Sequence, residues 1–307
     1  MIDLSQLSPM MQHYMETKKE YPDCILFYRL GDFYEMFFDD ALTVSKELEI
    51  TLTGKDCGLS ERAPMCGVPF HAVDSYLYRL VQKGYKVAIA EQMEDPKQAK
   101  GLVKREVIRV VTPGTITSSQ VLDETKNNYL MGIVYMDGIY GISTADISTG
   151  DFMVTEVDSE RELFDEINKF SPSEIICNNA LYMSGVDMDE LKNRYQVVIT
   201  ALDSRFFGEE SCRRILMEHF KVGALVGLGL EDYATGIIAA GAVMQYIYET
   251  QKSTLEHITT VTPYSTGQYM VIDTSTRRNL ELVVIPLVSF LSMQFRHQPK
   301  VIRSAHR

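Results

Sequence analysis

The sequence predicts an α/β protein with two successive units, each of which combines helices with a sheet. Its 307 residues are enough for about two domains. Short runs rich in β-branched and aromatic residues alternate along the chain with amphipathic stretches of helical period. Thr112-Pro-Gly-Thr115 and the polar residues 117–128 read as a linker between two such patterns. These observations together define the predicted fold class.

The first unit, residues 1–113, begins with a helix that Ser8-Pro9 starts and Pro22 stops. Gly31-Asp32 turns the chain after a buried strand, and Gly84 lies where a left-handed helix cap is expected. Residues 53–62 are predicted to be a polar loop, followed by a stretch interrupted by Pro and Gly. The predicted elements of this unit are helices over 5–19, 39–49 and 71–83, and strands over 24–30, 86–91 and 106–112.

A linker over residues 114–128 leads to the second unit, residues 129–248. Asp137-Gly138 and Thr149-Gly150 are hairpin turns between three short strands. The last helix of the unit is apolar around most of its circumference, so it is predicted to be buried. The predicted elements are strands over 130–136, 140–146, 151–157 and 174–177, and helices over 160–170, 205–220 and 236–248.

Composition excludes several classes of protein. The net charge of −12 argues against bulk electrostatic binding of nucleic acid. The N-terminus does not resemble a signal peptide, and the longest apolar stretch, residues 283–295, is too short for a membrane helix. The five scattered cysteines form no C-x-x-C pair, which excludes the common zinc signatures and suits a reducing cytoplasm. Phosphate-loop, dinucleotide-binding, G-x-S-x-G and H-E-x-x-H motifs are missing from the sequence.

Two features of the first unit suggest chemistry. Residues 31–38 place four aromatic residues beside carboxylates, and such aromatics can also simply fill a core. Residues 97–109 hold five cations against the single anion Glu106, a net charge of +4, and such a strip can also be a solvated surface. Together the two features fit a nucleic-acid contact, in which cations hold phosphates and aromatics stack on bases.

At these residues the chain resembles the MutS family of bacterial DNA mismatch-recognition proteins. The resemblance covers residues 5–282, and its motifs occur in order and at the family's spacing. They are Arg29-Leu-Gly-Asp-Phe-Tyr-Glu-Met-Phe37, Leu52-Thr53, Pro64-Met-Cys-Gly-Val-Pro-Phe-His71, Val87-Ala-Ile-Ala-Glu-Gln92, Arg109-Val-Val-Thr-Pro-Gly-Thr115, Ala145-Asp-Ile-Ser-Thr-Gly150 and Asp273-Thr-Ser-Thr-Arg-Arg-Asn-Leu-Glu-Leu282.

The resemblance implies three successive regions. It makes residues 1–113 a mixed-sheet α+β mismatch-recognition domain and residues 129–248 an RNase H-like α/β connector domain. It makes residues 249–282 the start of a helical core and lever domain. We expect such a protein to be cytoplasmic and associated with the bacterial nucleoid.

The resemblance also assigns roles in the binding of mismatched duplex DNA. Phe33 is expected to enter the minor groove and stack on the mispaired base, since unstacking a step costs least where pairing is already poor. Glu35 is expected to hydrogen-bond the displaced base, which needs a proton from the base or on the carboxyl group. Tyr34 alternates to the other face of the strand and is expected in the core.

Further DNA contacts implied by the resemblance are less specific. For Met65 and His71 simple packing is an equal alternative, and any cation of the basic strip can be merely solvated. The candidate contacts are Lys55, Met65, His71, Gln92, Lys104, Arg105 and Arg109.

Two other functions remain open at this point. A metal-dependent nuclease would use Asp137, Asp146 and Asp151, although turn chemistry already explains Asp137 and Asp151. The third candidate is an interaction protein without a DNA role. The connector region is expected to relay between DNA and the family's ATPase and to offer a surface to downstream repair factors.

The resemblance stops at Leu282. Residues 283–307 contain neither Asp nor Glu, so this tail is predicted to come from a frameshift or truncation, with genuine divergence as the alternative. The family's ATPase, its ATP and Mg²⁺ and its homodimer contacts would then be missing from this chain. We expect the chain to have no enzyme activity or cofactor of its own and to bind mismatched DNA weakly or not at all.

Overall fold

Two six-stranded mixed sheets, each with helices on its faces, make up the part of the chain that this computed structural model describes. The described residues are 4–94, 101–117 and 127–266. Both sheets belong to one unit, Met1–Thr266. The predictions for the basic residues Lys97 and Lys100, for most of the linker and for residues 267–307 concern positions outside the described residues. Within the described residues, no helix combines the length and the apolarity needed to cross a membrane.

The first sheet has the strand order β3-β4-β2-β1-β5-β6. Only β1 and β5 pair in parallel, so the predicted mixed sheet is confirmed. Helix α1 packs on one face of this sheet, and α2 and α3 pack on the other. Its elements are α1 (Pro9–Glu20), β1 (Cys24–Leu30), β2 (Phe33–Phe37), α2 (Phe38–Leu48), β3 (Thr53–Lys55), β4 (Ala63–Pro69), α3 (Val73–Gln82), β5 (Lys86–Gln92) and β6 (Arg105–Val111).

The second sheet has the order β11-β10-β7-β8-β9-β12. The antiparallel hairpins β7-β8-β9 form its centre, and the three remaining strands pair in parallel. The predicted buried helix is confirmed, since nearly all of α7 is enclosed between the sheet and α6. The elements are β7 (Tyr129–Met136), β8 (Ile139–Asp146), β9 (Phe152–Val157), α4 (Glu160–Phe170), β10 (Glu174–Cys177), α5 (Met188–Tyr195), β11 (Val198–Ala201), α6 (Glu209–Phe220), α7 (Ala234–Gln251) and β12 (Thr262–Pro263).

The start of the predicted polar loop and the stretch interrupted by Pro and Gly are strands. Residues Thr53–Lys55 and Ala63–Pro69 form β3 and β4, although the latter contains two prolines and a glycine. Their backbone groups pair with each other and with β2, and Cys66 and Val68 are buried beneath them. The prediction of a loop was wrong because strand preference depends on neighbours that local sequence does not contain.

The second unit also differs locally from its predicted pattern. Helix α5 and strand β11 were not predicted, and only Leu191 of α5 is buried. A signal was present, since Asp187 caps α5 by accepting from the backbone N–H groups of Asp189 and Glu190. The predicted helix over 205–220 divides into a 3₁₀ turn at Ser204–Phe207 and α6.

The start of the linker is a buried, hydrogen-bonded junction between the sheets. A 3₁₀ turn over Pro113–Thr115 is fully buried against the second sheet. Glu174 of β10 has no exposed surface, and its Oε2 accepts from the Thr112 hydroxyl at 2.5 Å and the Gly114 N–H at 3.0 Å. Its Oε1 accepts from the Tyr246 hydroxyl of α7 at 2.8 Å. One carboxylate therefore joins the turn, β10 and α7.

Residues 249–266, assigned by the sequence to the next domain, also contact the second sheet. Helix α7 continues to Gln251, and Thr262–Pro263 pairs with β9. The Thr155 hydroxyl donates to the carbonyl of Tyr264 at 2.7 Å. The boundary at residue 248 stays a prediction, but the stretch up to Thr266 packs with the second sheet.

Candidate nucleic-acid interface

Strand β2 sends its aromatic residues to opposite faces of the first sheet. Phe37 packs edge-on against Tyr14 of α1, with ring centroids 4.9 Å apart. Phe33 and Glu35 share that face because strand side chains alternate with a period of two. Tyr34 lies in the core on the other face, as predicted. Phe33 is 47% exposed, although its backbone is paired on both sides, with Leu30 of β1 and Pro69 of β4.

Lys55 lies next to Glu35 on this face. Its Nζ is 2.5 Å from the Glu35 Oε2 and 5.6 Å from the centre of the Phe37 ring. The Lys55 ammonium therefore lies within cation–π distance of Phe37 as well as beside the carboxylate. This ion pair joins two of the residues that the family resemblance singles out.

Strand β4 forms the part of the face between β2 and β3. Met65 is partly buried and pairs with Phe37 on one side and Thr53 on the other. Gly67 lies opposite Glu35, and a Cβ added there would be 3.6 Å from Glu35 Cγ and 3.8 Å from Phe33 Cδ1. Such a Cβ would be in ordinary van der Waals contact with both side chains and would lie closest to the Tyr34 carbonyl oxygen, at 3.3 Å.

The side chain of Arg29, which sequence reasoning did not select, lies behind this face. Its guanidinium stacks on the Phe70 ring at 3.9 Å and lies 5.4 Å from the Tyr34 ring. Tyr34 donates a hydrogen bond to Glu91, and burial together with that carboxylate raises the pKa of Tyr34. The period-two alternation from Tyr34 gave a signal for this second face, but the partners come from distant strands.

His71 and Gln92 lie at the borders of this region. His71 is exposed in a short 3₁₀ helix, with its ring centre 5.9 Å from that of Phe70. Gln92 ends β5 opposite Arg105 and is partly buried. The contact of His71 and of Gln92 with DNA stays a prediction.

The three cations of the basic strip that the structure describes, Lys104, Arg105 and Arg109, do not share one surface. A bulge in the pairing of β5 with β6 falls between Ile89 and Ala90, so Arg105 and Arg109 have different environments. Lys104 is exposed and pairs with Glu106 at 2.5 Å. Arg109 is partly buried, donates to Thr117 at 3.4 Å, and has its pKa lowered by burial. The described cations of this strip therefore have different surroundings, and phosphate contacts of Lys104 and Arg109 stay predictions.

Arg105 is buried rather than available to a phosphate. It is 6% exposed, donates to the backbone carbonyls of Arg29 and Val103 at 2.7 Å each, and lies over the Tyr28 ring at 5.1 Å. These contacts fix the end of β6 against β1. The interpretation of Arg105 as a DNA contact is therefore corrected to a structural role.

Replacing Arg105 with Met is expected to lower the free energy of unfolding by about 2 kcal/mol, because two carbonyl acceptors lose their charged donor. Urea unfolding followed by circular dichroism measures this loss. Lys104→Met is the adjacent control and is expected to leave the free energy of unfolding nearly unchanged, since its ion pair is exposed. Equal stability of the two variants would contradict the structural role.

The three aspartates of the alternative nuclease site are not assembled. Asp146 is buried and accepts from the N–H groups of Asn128 and Ser148 and from the Ser148 hydroxyl. Asp137 lies in the turn that joins β7 to β8, and Asp146 lies at the opposite end of this hairpin. At the usual rise per residue the two aspartates are about 24 Å apart. Within the described parts of the chain, no three His, Cys, Asp or Glu side chains are grouped to hold a metal ion.

The chain is a two-sheet α/β protein, and both of its sheets are mixed. The first sheet carries a candidate nucleic-acid-binding face, on which an exposed aromatic residue lies beside an ion-paired carboxylate. The family described as MutS domain I matches residues 8–120, and that described as MutS domain II matches residues 128–259. The chain therefore belongs to the MutS family of DNA mismatch repair proteins, and the fold class that the sequence predicted is confirmed.

Similar curated proteins carry the name DNA mismatch repair protein MutS. The chain is 62% identical over 279 residues to the protein of Lachnoclostridium phytofermentans and 52% identical over 282 residues to that of Acetivibrio thermocellus. The protein of Ruminiclostridium cellulolyticum is 50% identical over 282 residues. Each match covers 91% of this chain, but only 30–32% of the relative's length.

Proposed function

We propose that this chain recognises mismatched or unpaired bases in duplex DNA with the face formed by β2, β3 and β4. Phe33 is the wedge that enters the minor groove and stacks on the mispaired base, and Glu35 accepts a hydrogen bond from the displaced base. The observation that carries the proposal is the exposed Phe33 beside Glu35, two residues apart on one face of a paired strand.

The surroundings of Phe33 support its use as a wedge. A wedge must keep its position while it forces a base step open, and the backbone of Phe33 is paired with strands on both sides. Unstacking costs a few kcal/mol per step and least at a mispair. A mispair is therefore selected as a step that opens easily, with little reading of base identity.

The test uses the full chain and two fluorescent DNA hairpins, one perfectly paired and one with a single unpaired thymine flanked by 2-aminopurine. Low ionic strength strengthens phosphate contacts and brings weak binding into range. We expect Phe33→Ala to weaken binding of the unpaired-base hairpin by about tenfold or more, because aromatic stacking on a base contributes about 1–3 kcal/mol. The rise in 2-aminopurine fluorescence on binding should disappear.

Leu42→Ala is the matched control. Leu42 is also 47% exposed, but it lies on α2, which packs on the opposite face of the sheet. The Leu42→Ala variant should have the same affinity for both hairpins and the same 2-aminopurine fluorescence as the parent chain. The proposal fails if the chain does not prefer the unpaired-base hairpin, or if Phe33→Ala matches the parent chain.

The remaining parts of the family resemblance are proposals about the longer relatives. They comprise homodimer formation, use of ATP and Mg²⁺ by an ATPase outside the matched region, and contact of the second unit with downstream repair factors. For this chain we propose no catalytic residue, and a bacterial, nucleoid-associated location.

A further inference from the structure

The Glu35 carboxylate is already occupied in the protein without DNA. Lys55 Nζ lies 2.5 Å from Glu35 Oε2, so the pair is a charge-assisted hydrogen bond. The lysine side chain is 32% exposed and the glutamate side chain 16%. Lys55 is therefore the more exposed partner of the pair, and a phosphate of bound DNA could compete for it.

This arrangement addresses a conflict in the proposed function. A bare carboxylate beside a DNA backbone repels the phosphates, and the repulsion is strong where water is excluded. A carboxylate that stays paired with lysine, however, has fewer oxygens free to accept from a base. The same side chain must be neutralised during approach and available after it.

We propose that Lys55 is a positioning residue that exchanges partners on DNA binding. It neutralises Glu35 in the free protein and then moves its ammonium to a backbone phosphate, which leaves the Glu35 carboxylate free for the displaced base. This inference rests on the proposed function of Phe33 and Glu35 and adds to it a coupling between two charges on neighbouring parts of one face.

The local structure permits the exchange. Strand β3 has only three residues and lies at the edge of the sheet, so Lys55 approaches from the border of the face. Its ammonium lies 5.6 Å from the centre of the Phe37 ring, and the flexible lysine side chain can rotate without moving the backbone. Gly67, opposite Glu35, has no side chain to obstruct the released carboxylate.

The competing interpretation is that Lys55 and Glu35 act independently. In that case their ion pair is the same in the free protein and in the DNA complex, so it stabilises the fold and does not affect the affinity. The two interpretations differ in one measurable quantity. Independent residues give the same effect of Glu35→Gln whether position 55 is Lys or Met, whereas exchanging partners do not.

The experiment is a double-mutant cycle on the full chain with the hairpins described above. Affinities are measured for the parent, Lys55→Met, Glu35→Gln and the double variant. We expect Lys55→Met to weaken binding of both hairpins by about tenfold, because the lost phosphate contact outweighs the ion pair that no longer has to be broken. Glu35→Gln should raise affinity for the perfectly paired hairpin by at least about fivefold more in the parent, where binding breaks the ion pair, than in Lys55→Met, where there is no pair to break. A larger gain in the Lys55→Met background would mean that the pair stays closed on DNA and would overturn the exchange.

Two controls separate charge from packing. Lys55→Arg keeps the positive charge and should restore most of the affinity for both hairpins. Lys83→Met breaks the 2.7 Å pair of Lys83 with Glu47 on the helix-covered opposite face and should leave the cycle unchanged.

Failure of this inference can be told apart from failure of the proposed function. If binding depends on Phe33 but Glu35→Gln has the same effect in both backgrounds, the exchange is wrong and the wedge stands. A loss of affinity that Lys55→Arg does not restore also overturns the exchange. If binding does not depend on Phe33, both proposals fail.

Discussion

Replacing Glu174 with Ala is expected to lower the free energy of unfolding by about 3–5 kcal/mol. The change removes the acceptor of three hydrogen bonds, from the Thr112 hydroxyl, the Gly114 N–H and the Tyr246 hydroxyl. Hydrogen bonds to a charged group contribute about 1.5–3 kcal/mol each, and a donor left buried without a partner adds its own cost. Urea unfolding followed by circular dichroism measures the change.

Two variants make this test specific. Glu174→Gln keeps the volume and one carbonyl acceptor, so it should lose about half as much stability. Glu190→Ala removes an exposed glutamate paired with Arg194 on α5 and should lose less than about 0.5 kcal/mol. If Glu174→Ala were no more harmful than Glu190→Ala, the junction would not depend on this carboxylate.

Replacing Gly241 with Ala is expected to lower the free energy of unfolding by about 3 kcal/mol. A Cβ at this position of α7 would lie 2.3 Å from the Cβ and 2.5 Å from the Cα of Cys212 on α6. Both atoms are fixed to a helix backbone, so the two helices must move apart to relieve the contact. Overpacking of this kind usually costs about 1–3 kcal/mol, and backbone contacts lie at the upper end.

The contact itself can be tested by rescue. Cys212→Gly removes the Cβ that Gly241→Ala would meet, so the double variant should recover part of the lost stability. Gly223→Ala is the control, because no heavy atom lies within 4 Å of a Cβ placed there. It should be within about 0.5 kcal/mol of the parent chain. A lack of any recovery in the double variant would contradict the predicted close approach.

Local sequence patterns predicted many elements with their boundaries. Strand β1, helix α4 and strand β10 have the predicted limits. The Asp137-Gly138 turn has positive φ at both residues, as a tight hairpin turn requires. These features depend on neighbouring residues, which the sequence supplies directly.

Pairing between distant residues was not predictable in the same way. Strands β3 and β4 become strands because β2 pairs with β4, which in turn pairs with β3. The bulge in the pairing of β5 with β6 gives Arg105 and Arg109 different environments, although both belong to the basic strip in sequence. Local charge counting could not detect that change, because it depends on the register of two paired strands.

By itself the sequence determined the α/β class, the family and the residues Phe33 and Glu35 as the centre of the candidate site. Only the tertiary structure decided that Lys55 pairs with Glu35, that Arg105 is buried, and that Glu174 joins the linker turn to the second sheet. The physical reason is the separation along the chain of the residues that interact. Periodicity and turn chemistry act between near neighbours, whereas ion pairs and buried hydrogen bonds join residues that meet only when the sheets form.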